Sequence, residues 1–89
     1  MSDLDNASKV LDALKAAEPE PPQTALPMLN SLAKLVQGDP DQPIEVQEAR
    51  ADAFMAICEV GKALHRKQPT DQLWGPAIDA VEKWKSLAR

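Results

Sequence analysis

The side chains able to do chemistry in this chain are few: one histidine, His65, one cysteine, Cys58, and scattered carboxylates, of which Glu45, Glu48 and Asp52 are the most regular. Nucleophilic catalysis needs a thiol or hydroxyl beside a base. Cys58 precedes His65 by seven residues, which on one helix is about 10.5 Å along the axis and too far for a hydrogen bond. A carboxylate-bridged metal pair in a helical bundle needs Glu-x-x-His on facing helices. Here the residue three before His65 is Lys62, and Glu45 and Glu59 are followed at that spacing by Glu48 and Lys62. Glu45, Glu48 and Asp52 share a helix face at steps of three and four, but that face lies opposite an apolar stripe, where carboxylates are ordinarily solvated. No glycine-rich phosphate loop and no G-x-S-x-G is present. The expectation is a non-enzymatic chain with no catalytic residue, no metal site, no cofactor and no evident small-molecule substrate.

Two small helical families are set aside on the same residues. Acyl carrier proteins attach their prosthetic group to the serine of Asp-Ser-Leu at the start of a second helix. This chain has Asn30-Ser31-Leu32 in the middle of an apolar-periodic segment. Histidine phosphotransfer domains follow their histidine with a lysine and a glycine at the next turn, whereas His65 is followed by Arg66-Lys67-Gln68-Pro69. No family resemblance emerges. His65 instead reads as a residue of a helix end, where histidine, arginine and lysine all favour the negative pole and the unpaired carbonyls.

The elements that carry these residues follow from composition and turn chemistry. Of the apolar residues, 14 are alanine and 10 leucine, against five valines and three isoleucines, with no tyrosine and one phenylalanine. That is a helix-forming vocabulary with almost none of the β-branched and aromatic residues that strands use. The eight prolines and three glycines fall almost entirely between periodic segments, cutting the chain into four helices at about 3–17, 24–37, 43–67 and 71–88, with a proline-rich linker at 18–23. Thr24 is the expected cap of the second helix, with Pro27 in its first turn and Gly38 as its stop. Pro43 is expected at the first position of the third helix, with Glu45 near its positive pole. Thr70 or Asp71 is expected to cap the fourth, which either begins at Pro76 after a short turn or runs through that proline with a kink. The fold class expected is all-α: one domain over 1–89, a small bundle of three to four helices, mainly antiparallel, with the long third helix as spine.

A core of this size is marginal and gains from partners. Leu26, Met28, Leu29, Leu32, Leu35 and Val36 cover a wide arc of the second helix, and Ile44 and Met55 lie on the less apolar side of the third. In the fourth helix Trp74, Val81 and Trp84 recur along one seam, and tryptophan is enriched at interface hot spots. The candidate protein-interface residues are therefore Trp74, Trp84, Val81, Met28, Leu35 and Met55, and the expected function is a protein-interaction module, either a homo-oligomer or an accessory subunit of a larger complex. Residues 1–60 carry eleven acidic and four basic side chains, and 61–89 carry three and six. An acidic body is unsuited to nucleic acid but suits the alternative expectation, an acidic inhibitor of the immunity or antitoxin kind that binds a basic protein. The N-terminal stretch lacks the basic start and apolar run of a signal peptide, and no apolar segment is long enough for a membrane span, so a cytoplasmic location without membrane partners is the expectation.

Overall fold

The computed structural model describes residues 3–32, 34–36 and 40–88. Among these, 73% are helical and none lies in a strand. Four helices follow in order: α1 (Asp3–Ala17), α2 (Pro22–Asn30), α3 (Ile44–His65) and α4 (Trp74–Leu87). Helices α1 and α3 each pack on α2 and α4, so the four close into a ring with α1 and α3 across from one another. The radius of gyration is 12.3 Å, against about 12 Å for a compact chain of this length. The longest dimension, 37 Å, is little more than the roughly 33 Å that 22 helical residues span. The third helix is the spine expected of it.

Local chemistry explains the helix bounds, including those that depart from expectation. Asp3 and Asp5 in the first turn and Lys15 in the last complement the dipole of α1, which stops ahead of Pro19 because proline disfavours helical geometry in the residue before it. The second helix starts two residues earlier than Thr24. Pro21 is its cap residue, Pro22 its first helical residue, and the Pro21 carbonyl accepts hydrogen bonds from the amides of Thr24 and Ala25, both at 2.9 Å. Thr24 is thus inside the helix, no side chain caps it, and Pro27 sits well past the first turn. The helix also ends early, at Asn30. Ser31 Oγ donates to the Met28 carbonyl at 2.7 Å, giving the backbone a competing local partner, and the chain continues in tight turns, with the Leu32 amide on the Leu29 carbonyl and the Leu35 amide on the Leu32 carbonyl. The expected end at Gln37 and stop at Gly38 lie outside the described residues.

Pro43 caps α3 rather than opening it. Gln47 Nε2 donates to the carbonyls of Pro40 and Gln42 at 2.9 and 2.7 Å, which fixes the chain where it enters the spine. At the other end the Lys67 amide bonds the Leu64 carbonyl and the Gln68 amide bonds the Ala63 carbonyl. This is a Schellman closure. It holds Lys67 at φ 58°, the left-handed conformation usually given to glycine. Leu73, not Thr70 or Asp71, is the cap residue of α4. Residues 71–73 form the short turn, and Pro76 falls in the first helical turn, where a missing amide hydrogen loses no bond.

The core is built from many small side chains and a few large ones. Ala7, Ala17, Ala25, Ala53 and Ala77 are fully buried, which lets helix backbones approach closely, and Trp84, Leu14, Val10, Val60 and Val81 fill the remaining space. Among the described residues one charged side chain lies wholly inside. Asp3 Oδ2 accepts hydrogen bonds from Arg50 Nη1 at 2.8 Å and from Trp84 Nε1 at 3.2 Å, tying α1 to α3 across the ring and to its neighbour α4. Leu4 is 40% exposed, and Asp3, one step round the helix, faces inward in its place.

Candidate functional site

The expected interface residues divide between core and surface. Trp84 and Val81 are fully buried and Trp74 nearly so. Trp74 Nε1 donates to Thr70 Oγ1 at 3.1 Å, a bond that occupies the hydroxyl expected to cap the helix. The tryptophan seam therefore packs within this chain, because α4 lies between α1 and α3 and turns that face inward. Met28 and Leu35 are partly buried against the core. Of the six, Met55 alone is exposed, at 63%.

Met55 belongs to a surface feature of α3. Ile44 is 66% exposed and Phe54 43%; with Met55 they are the large apolar side chains that the spine presents outward. Phe54 continues the apolar stripe in sequence, yet no helix covers it. Around them the spine is polarised. Glu45, Glu48 and Asp52 are exposed on its first half, Lys62, His65 and Arg66 on its last, each set matching the helix pole nearest to it. Glu59 and Lys62 approach to 3.8 Å, an exposed pair of small energetic weight.

Beside this face runs an open groove of about 500 Å³ between α2 with its following turns and the flank of α3. Leu26, Leu29, Leu32 and Val36 form one wall, Phe54, Ile57, Cys58 and Gly61 the other, and Lys62, His65 and Arg66 stand at one end. A second, shallower-walled depression of similar volume, about 520 Å³, lies on the outer side of Phe54, between Met55, Cys58 and Lys62. Phe54, Cys58 and Lys62 thus border both concavities.

The thiol and the imidazole, the candidate nucleophile and base, lie apart on α3. Cys58 is half-buried and unbonded to another cysteine, and His65 stands two turns along the same helix. Among the described residues no three His, Cys, Asp or Glu side chains gather where a metal ion could sit, and no helix is long and apolar enough to cross a membrane. No protein-family model matches the chain, and neither does any curated protein or solved structure.

Sequence reasoning passed over two residues here. Asp3 stands four residues before Ala7, in phase with Val10, Leu14 and Ala17, and Arg50 lies between Val46 and Ala53 in the same way. A lone acid and a lone base, each in step with an apolar stripe, are the signal that could have paired them.

Proposed function

We propose that this chain is a non-enzymatic protein-interaction module, acting as a homo-oligomer or as an accessory subunit of a larger assembly, and that its docking surface is the outer face of α3. The observation that carries the reading is the outward set of Ile44, Phe54 and Met55. Each leaves apolar area in water on a rigid helix whose inner face is fully engaged, and burial of such area is the main drive for association. The interface candidates of α4 have no part in it, since Trp74, Val81 and Trp84 are enclosed.

Sedimentation equilibrium over roughly 1–100 µM, a range that detects standard free energies of about −5.5 to −8 kcal/mol, tests the self-association branch. Met55→Glu should weaken any association that uses this face while far-UV circular dichroism stays unchanged, because Met55 is exposed. Full association by the Met55→Glu variant would remove this face from the reading.

A second reading, an acidic inhibitor of a basic protein, is favoured by Glu45, Glu48 and Asp52 lying exposed together on the first half of the spine. Its association rate would fall steeply with ionic strength, whereas an apolar interface would respond little.

A further inference from the structure

The outer face of α3 carries a pattern that its inner face does not need. Met55 stands at its middle. Ala51 and Cys58 lie one step out on either side, Glu48 and Lys62 the next step, and Ile44 and His65 at the ends. The steps run four, three, four, three, four, three, which is the seam of a helix packed along another helix. All seven side chains are exposed or half-exposed, so among the described residues no helix covers the seam. Read backwards, the steps run three and four in place of four and three, so the two directions match to within one residue. About an axis at Met55, Met55 meets Met55 and Glu48 meets Lys62, while Ala51 faces Cys58 and Ile44 faces His65 one residue out of step.

We infer that the occupant of this face is a second copy of the chain, its α3 lying antiparallel on the first about a twofold axis near Met55. The inference rests on the interaction reading above and names its partner. Charge decides the direction. An antiparallel pair sets Glu48 against Lys62 of the second copy twice over, whereas a parallel pair would set Glu48 on Glu48 and Lys62 on Lys62. Apolar contact decides the register, because Met55 and the neighbouring Phe54 meet their counterparts at the axis, and the small Ala51 and Cys58 permit close approach beside them. The existing Glu59–Lys62 contact at 3.8 Å is loose enough for Lys62 to turn to the opposite chain. One helix face is smaller than the standard interface of about 1,600 Å², so the dimer is a reversible one, with Kd on the order of micromolar.

Charge exchange on the full-length chain, followed by analytical ultracentrifugation, tests this. Glu48→Lys and Lys62→Glu should each weaken dimerisation about tenfold, the equivalent of about 1.4 kcal/mol. The double variant should recover wild-type affinity, and a mixture of the two single variants should form the heterodimer. A geometric check uses the chain's one thiol: Ala51→Cys places a second thiol opposite Cys58 of the other copy. Within one helix, positions 51 and 58 are about 10.5 Å apart along the axis and cannot bridge, so mild oxidation should give a covalent dimer and no intrachain disulfide. A dimer whose affinity ignores both charge variants, or whose double variant is weaker than either single one, would overturn the inference while leaving the interaction reading intact. A chain that stays monomeric at high micromolar concentration would overturn the inference and confine the interaction reading to foreign partners.

Discussion

Two residues carry more than their sequence context suggests. Asp3 is fully enclosed and holds Arg50 and the Trp84 indole together; without its carboxylate the guanidinium, only 14% exposed, and a buried N–H both lose their acceptor. Leaving such groups unpaired is the costly part of breaking a buried network. Asp3→Ala should therefore lower the unfolding free energy by about 2–3 kcal/mol, measured by urea denaturation, and should shift the fluorescence of Trp84. Lys67 is the opposite case. Its left-handed backbone, φ 58°, is one a side chain resists, so Lys67→Gly should stabilise the fold by about 0.5–1 kcal/mol. For a domain of this size that raises Tm by a few degrees, roughly 4–8 °C per kcal/mol, read by thermal scan. Neither effect was legible beforehand. An aspartate in a first helical turn looks like a dipole partner in solvent, and a lysine after a helix end looks like a carbonyl cap; the conformation of a single residue is fixed by contacts that only the folded chain supplies.

At the scale of elements, the periodicity of the apolar residues was enough to place four helices and the long spine, because core-facing stripes and proline punctuation agree along most of the chain. Ends were read less well. Thr24, Thr70 and Asp71 are good cap residues by type, but two of the helices they were expected to open begin on proline geometry or on a preceding turn, with no side-chain cap bond. Pro27 shows the same competition. Expected in a first turn, it stands inside α2, where its missing amide denies one carbonyl a partner. Pro27→Ala should gain about 2 kcal/mol, the helix-interior penalty of proline less the unfolded-state entropy that proline removes, and should raise helical circular dichroism slightly. The tryptophan seam was legible as a packing surface but not as to which body it packs on. That depends on α4 lying between α1 and α3, a relation between elements far apart in sequence.

For the whole molecule, the ring of helices is closed by unequal joints. The α1–α2 and α3–α4 contacts join consecutive helices across short connections, whereas the α1–α4 contact brings together the two ends of the described chain. The Asp3–Trp84 hydrogen bond spans 81 residues of sequence. Closing so long a loop carries an entropic cost that is met only once much of the rest is in place. Sequence separation alone would have the consecutive helices pair first and the α1–α4 joint close last, as a latch. Asp3→Ala should accordingly speed unfolding by nearly its full energetic effect and leave the refolding rate almost unchanged, which stopped-flow fluorescence in urea would resolve. A folding limb slowed as much as the unfolding limb is accelerated would place the latch in the nucleus instead. On that order the α1–α4 joint would also be the first to open, which would tie the chain's lifetime in the face of proteases to one buried carboxylate.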